Sequence, residues 1–263
     1  MKIFSDQNDL FDFYSSFKGV KLIELYKIIE NQYPVVSKAL KTQKGVVGHI
    51  MEGLTGRAPN SDSRADLYNI GVELKVMPLR KVSNIIQPKE RSKLKSINYN
   101  SIQKEQWGTS PLRTKMNCIL FLTYEHPIGL TYKDWEQFVF KGPLYYYLQS
   151  ENESIVREDW EGIKGKVINN EAHNLSESDG DILGACTSGT GKEIKYNEWA
   201  LPAKQRSYSL KHSYLKQFYK EKVGKVSYES LSETIKDKSI VNYVLNELKN
   251  NLQNKSLNDL SNR

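Results

Sequence analysis

Apolar residues recur along this chain with two different periods, and the switches between them mark out its elements. From Gly19 to Tyr33, Leu22, Leu25, Ile28 and Ile29 fall at helical spacing, and Pro34 ends the run. Val46 to Gly53 predicts a second, short helix. After the turn-rich stretch RAPNSDS, the run IGVELKVMPL sets Val72, Leu74 and Val76 against Glu73, Lys75 and Met77, which is strand periodicity. NCILFLTYEH from Asn117 reads as a more buried strand, and SINYNSI from Ser96 as a third lying beside it. Helical spacing returns from Ser154 to Asn169. The polar stretch AHNLSESDGD then precedes a strand-like DILGAC and marks a lobe boundary. Ser209 to Glu221 and Tyr228 to Leu248 read as helices, and NNLQNKSLNDLSNR as a frayed polar tail. Strands in the middle with helices before and after predict an α/β fold with a central mixed β-sheet flanked by helices.

Composition narrows the class. The 263 residues are 38% hydrophobic and 11% aromatic, enough apolar bulk for a real core, so a disordered chain is excluded. Cys118 and Cys186 are too few for a disulfide framework, and no Cys/His spacing suits a structural zinc. The opening MKIFSDQNDLFDFY carries Asp6, Asn8, Asp9 and Asp12 where a signal peptide needs an apolar run. No stretch approaches the roughly 18 apolar residues of a membrane span. The expectation is a soluble, cytoplasmic protein.

The net charge of +7 matters less than its distribution. Ten basic residues face two acidic ones between Lys75 and Lys115, and nine face three between Lys192 and Lys225. Between these blocks, from Glu151 to Asp181, nine acidic residues oppose three basic ones. Two basic blocks suit a polyanion held between two surfaces, although solvated lysine-rich surface has the same composition.

The chemistry sits at Asp66 and Glu73-Leu74-Lys75, a D-x6-E-x-K spacing. On a strand, Glu73 and Lys75 share one face while Val72, Leu74 and Val76 turn inward, so acid and amine project into solvent or a cleft. A bend at Asn69, Ile70 and Gly71 would return Asp66 beside Glu73. Two carboxylates and a backbone carbonyl are hard oxygen ligands suited to Mg2+, and an adjacent lysine can orient water or stabilise phosphoryl charge. An exposed strand face with a paired acid and lysine gives the same triplet, so the neighbours carry weight. In a helix over Lys44 to Glu52, Gly45, Gly48, His49 and Glu52 share a face, and Glu52 offers a third carboxylate. Trp107-Gly108-Thr109-Ser110 leads through Arg113 to Lys115, a second lysine close to a strand start.

Together the runs KGVVGHIMEGLTG, DLYNIGVELKVMPL and WGTSPLRTKMNCILFL resemble the MutH mismatch-repair endonuclease and its restriction relatives, the Sau-type endonucleases that cut at GATC. The resemblance extends from about Leu22 to Tyr219 with block order kept. It implies the PD-(D/E)xK restriction-endonuclease-like fold, with two lobes forming a cleft around duplex DNA. By position it makes Asp66, Glu73 and Lys75 the catalytic triad, Glu52 an additional active-site carboxylate and Lys115 a second lysine near the scissile phosphate. Lys44 and Gly45 fall where the family approaches DNA. Residues 1–170 then form the catalytic lobe, 171–250 the DNA-recognition lobe and 251–263 the tail.

The C-terminal half is closer to the restriction branch. Cys186, Thr187 and Ser188 stand where the mismatch-repair branch has Arg-Pro-Lys, and Ser209, or Tyr208 with a one-residue shift, stands where it has a tyrosine. Thr187, Ser188 and the backbone amides near Gly189 offer groups for base edges, and Lys204, Arg206 and Lys211 for phosphates or guanines, although a turn followed by an ordinary basic helix N-terminus has the same sequence. Cys186 reads as a small buried residue, His49, His126, His173 and His212 as non-ligands, and Tyr145-Tyr146-Tyr147 as packing. The expected protein is a Mg2+-dependent type II restriction endonuclease that acts on GATC in double-stranded DNA, leaves 5′-phosphate ends and works as a homodimer at least on DNA. A mismatch-repair nicking enzyme and a non-catalytic DNA-binding domain are the competing readings.

Overall fold

A computed structural model of the chain describes residues 2–30, 45–57, 64–189 and 192–223. Lys44, Pro34, the helix expected over Tyr228 to Leu248 and the polar tail lie outside them.

One strand organises the molecule. β4 (Cys118–Glu125) is an almost unbroken apolar run buried on both faces, as a central strand must be. On one side it pairs in parallel with β1 (Glu73–Val82), setting Glu73 opposite Ile119 and Lys75 opposite Phe121. On the other it pairs antiparallel with β5 (Val139–Tyr147). β2 (Ile85–Pro88) folds back on the far half of β1 through Ser83 and Asn84, both at positive φ, as a two-residue hairpin loop demands. The order is β2-β1-β4-β5, a mixed sheet as expected.

Alternation along β4 divides the core. Cys118, Leu120, Leu122 and Tyr124 face the N-terminal helices α1 (Gln7–Ser15), α2 (Leu22–Glu30) and α3 (Val46–Leu54), joining Leu22, Leu25, Val46, Ile50 and Phe140. Ile119 and Phe121 face the opposite way, with Met77 and Leu79, onto α4 (Pro111–Met116), α5 (Ser150–Ile168) and α6 (His212–Val223). This second core also takes in a three-stranded sheet, β3-β9-β6, built from β3 (Ser92–Ser96), β6 (Leu183–Thr187) and β9 (Arg206–Leu210). A short hairpin of β7 (Glu193–Ile194) and β8 (Ala203–Lys204) joins β6 to β9. The buried carboxylate of Asp159 on α5 locks the entry to β6, accepting the N–H groups of Asp181, Ile182 and Leu183 at 2.9, 2.9 and 2.8 Å.

Several expectations are corrected. The third strand lies at Ser92–Ser96, and it pairs with β9 in the second sheet; from Asn98 the SINYNSI run is a turn that leads into a single 3-10 turn over Ile102–Lys104. Ser209 belongs to β9, so the last described helix starts at His212. Its strand runs RSYSL, whose serines give no apolar alternation, yet Ser207 and Ser209 are buried between two neighbouring strands. Helix α1 is an element beyond those expected, and Asp6 caps it, accepting the N–H groups of Asn8 and Asp9 at 2.8 and 2.9 Å. Strand β5 was hidden by Gly142-Pro143, which sit at a bulge on an edge strand, where both residues are tolerated.

Candidate active site

The start of β1 is where the acidic and basic side chains meet. A tight turn precedes it: Leu67 and Val72 exchange backbone hydrogen bonds at 2.8 and 3.1 Å, and Gly71 takes φ +69°, which an L side chain resists. The turn carries Asp66 back so that its Oδ2 accepts the N–H of Leu74 at 2.8 Å. Within a strand a residue's N–H and C=O leave by the same edge, so the Leu74 carbonyl also faces the Asp66 side, away from β4.

Of the two surroundings that the alternation allowed, solvent or a cleft, open solvent is excluded: Glu73 is 1% exposed, because α4 and the second core cover that face. Its carboxylate lies between two ammonium groups, Lys75 Nζ at 2.7 Å from Oε1 and Lys115 Nζ at 2.8 Å from Oε2. Lys115 arrives from the last turn of α4, whose N-cap Ser110 accepts the N–H of Arg113 at 3.1 Å. Parallel pairing of β1 with β4 sets α4's C-terminus beside Glu73.

Glu52, on α3, belongs to the same electrostatic neighbourhood. Burial, then the nearby Asp66, pushes its carboxyl up to about 7, with Lys75 and Lys115 opposing. Asp66 is also raised, first by burial and then by Glu73. The Tyr14 hydroxyl donates to the Met51 carbonyl at 2.8 Å and ties α1 to the end of α3. Gly45 and Gly48 lie on the Glu52 face, and a side chain at Gly48 would meet nothing within 4 Å. Among the described residues no three Asp, Glu, His or Cys side chains already close around one metal-sized point. An open groove of about 750 Å³ beside Trp107, Arg113, Glu153 and Trp160 is lined by none of these carboxylates.

The remaining sequence-named residues form a second group. Arg206 reaches across from β9 to Thr187 Oγ1 at 3.0 Å, and Lys93 on β3 donates to the Thr187 carbonyl at 2.9 Å. The Ser188 N–H bonds to the Gln205 carbonyl, and Gly189 takes φ +57°. Lys204 is exposed beside them. Lys211 is turned elsewhere: its ammonium donates to the Gly180 carbonyl and helps hold the β6 entry. Cys118 and Cys186 are buried and free. Tyr145 stacks between Phe11 and Tyr147, as packing.

Near Asp66 stands an aromatic and arginine cluster that the D-x6-E-x-K motif does not include. Tyr68, 56% exposed, has the guanidinium groups of Arg64 and Arg57 over its ring at 4.4 and 5.8 Å. Two arginines flanking the RAPNSDSR run were its signal in the sequence.

Known proteins resemble this chain over the same stretch of sequence. A family model described as "DNA mismatch repair enzyme MutH" fits residues 55–159, the span holding Asp66, Glu73, Lys75 and Lys115. The type II restriction enzyme Sau3AI of Staphylococcus aureus is 32% identical over 216 residues, covering 79% of this chain and 44% of the restriction enzyme. These matches support a MutH and Sau-type nuclease family for the chain. The DNA mismatch repair protein MutH of Haemophilus influenzae (strain 86-028NP) is 23% identical over 144 residues, 55% of this chain and 62% of that protein. That of Yersinia pestis (strain Pestoides F) is 26% identical over 179 residues, 68% and 75% of the two chains. The chain thus spans less than half of the restriction relative. Among the described residues, no helix is long and apolar enough to cross a membrane.

Proposed function

We propose that this MutH and Sau-type chain is a site-specific endonuclease that hydrolyses phosphodiester bonds of double-stranded DNA, of the type II restriction class, at GATC. The observation that carries the reading is Glu73, buried at the head of β1 between two lysines with Asp66 folded back onto the next residue. A buried carboxylate with a second one beside it is costly to keep unless cations complete it.

The donor set fits a divalent cation in kind: Asp66, Glu73 and the Leu74 carbonyl would hold it, with Glu52 behind, all hard oxygens. Burial and mutual repulsion raise Asp66 and Glu52, the imbalance that an added positive charge corrects. When bound, Mg2+ would supply a more acidic water and polarise the phosphate. The chain's own residues do the rest. Lys75, half-tethered to Glu73 and partly exposed, orients the attacking water by hydrogen bonding. Lys115, more deeply set, balances charge on the phosphate as the 3′ oxygen leaves, so a 5′-phosphate end results. Gly45 approaches the duplex from the α3 side, and Lys44, next to it in sequence, joins it in contacting DNA. Thr187, Ser188, Gly189, Lys204 and Arg206 approach it from the β6–β9 side, which makes residues 171–250 the recognition lobe and the space between the groups the DNA cleft. Lys211 contributes by bracing that lobe. Cutting both strands of a palindrome needs two such sites, hence a homodimer on DNA.

The test is digestion of unmethylated plasmid by wild type and Asp66→Ala, with and without Mg2+, followed by sequencing of the ends. Wild-type cuts at GATC that require metal and Asp66 support the reading. Metal-dependent cuts at another palindrome keep the nuclease and discard GATC. Nicking confined to hemimethylated sites would favour the mismatch-repair activity, which the family match over residues 55–159 also accommodates. Binding without cleavage in any divalent metal would leave a DNA-binding domain.

A further inference from the structure

Beside the recognition strands, the loop between β7 and β8 displays apolar side chains that the fold does not bury. Of the four tryptophans, Trp107, Trp135 and Trp160 are 7%, 1% and 1% exposed, whereas Trp199 is 78% exposed and Leu201 is 60% exposed. Isolated exposed apolar residues are ordinary, but this loop is built to hold these two outward. Tyr196 and Ala200 on either side of Trp199 are buried. Tyr196 packs on Tyr99 with ring centroids 5.1 Å apart, and its hydroxyl donates to the Val167 carbonyl at 3.3 Å. Asn197 Oδ1 accepts the N–H groups of Trp199 and Ala200 at 2.9 and 2.7 Å, while its Nδ2 donates to Asn170 Oδ1 at 2.7 Å. The chain is pinned at 196, 197 and 200, and an indole and an isobutyl group stand in water between and beyond the pins.

The surroundings say what would cover them. Lys192, Lys195 and Lys204 flank the loop against Glu193 and Glu198, and β8 runs through Gln205 straight into Arg206, which holds Thr187. A flat aromatic and a branched aliphatic group among three lysines and two glutamates, a few residues ahead of the Arg206 strand, match a duplex, which offers phosphates outside and apolar base-pair faces within. We propose that Trp199 and Leu201 form an apolar contact to duplex DNA, the indole stacking at a base step next to the Thr187–Arg206 strands. The contact rests on the nuclease reading and adds affinity and local distortion of the duplex, with base choice left to the hydrogen-bonding groups beside it.

Because the other three indoles are buried, collisional quenching by neutral acrylamide reports Trp199 in the unmodified chain. A duplex bearing GATC is added with Ca2+ and without metal, and saturation is followed by anisotropy of a labelled strand. The expected result is lowered emission and loss of acrylamide access on complex formation. Trp199→Ala with Leu201→Ser should bind roughly tenfold more weakly with an unchanged salt slope, the signature of losing a stacking contact and no charge. Full acrylamide access in the saturated complex, or undiminished affinity of the double variant, overturns the contact. Protection that grows with protein concentration before DNA is added assigns the loop to self-association and overturns it as well. Plasmid cutting by a wild type whose Trp199 stays accessible would refute this contact alone, whereas failure to bind duplex at all would refute both readings.

Discussion

Glu52 allows the electrostatics of the site to be tested through stability alone. Its carboxyl is held at about 7 in the folded protein, above the ordinary 4.5, because burial and Asp66 disfavour the anion. At about 1.4 kcal/mol for each tenfold change in proton affinity, that rise amounts to about 3 kcal/mol. The sign follows from which state prefers the proton. Below pH 4.5 Glu52 is neutral in both states and contributes no penalty. As pH rises from 4.5 through 7 the unfolded chain ionises first, and folding is progressively disfavoured up to the full amount above pH 7. Glu52→Gln, which keeps the shape and removes the titration, should therefore match wild type near pH 4 and exceed it by about 2–3 kcal/mol at pH 8. The assay is urea unfolding of both proteins at half-unit pH steps, with the difference in stability plotted against pH. A flat difference, or a Glu52→Gln protein less stable at pH 8, would refute the burial-and-repulsion account. The same pair probes the cation: millimolar Mg2+ at pH 8 should raise the melting temperature of wild type more than that of Glu52→Gln.

Lys75→Ala should abolish plasmid cleavage while duplex binding by gel shift stays within a few fold; cutting at the wild-type rate would remove Lys75 from the site. Lys115→Met leaves Glu73 buried with Lys75 as its remaining ion-pair partner, and should cost about 2 kcal/mol in urea unfolding besides activity; a change below about 0.5 kcal/mol would mean that the ammonium group is not a structural counter-charge. Asp159→Ala strips three backbone N–H groups of their acceptor and should destabilise by about 3 kcal/mol, with a wild-type-like unfolding midpoint the contrary result. Lys204→Ala should shallow the salt dependence of duplex binding by about one ion, and an identical slope would take it off the phosphate list.

The D-x6-E-x-K motif was legible in the sequence because its geometry is local. A turn of a few residues and one strand's alternation suffice to set Asp66, Glu73 and Lys75 around one edge. The strand NCILFLTYEH was legible because burial on both faces demands an unbroken apolar run, and α2 because its apolar stripe has a helical period. What the sequence could not express is which distant segments cover each face. That Glu73 is buried rather than exposed, and that Lys115, 42 residues further along, shares its carboxylate, depends on the parallel register of β1 with β4. Alternation reports only that two faces differ, and it leaves open whether the face of Glu73 meets solvent or a cleft. The serines of β9 hid a central strand for the same reason, since their burial comes from β3 and β6 on either side. Lys211 shows the converse case: a lysine's sequence neighbourhood reveals its charge, but only the packed loop at Gly180 decides whether that charge faces a ligand or a carbonyl of its own chain. Local chemistry is written in spacing, whereas partnership across the fold is decided by long-range packing.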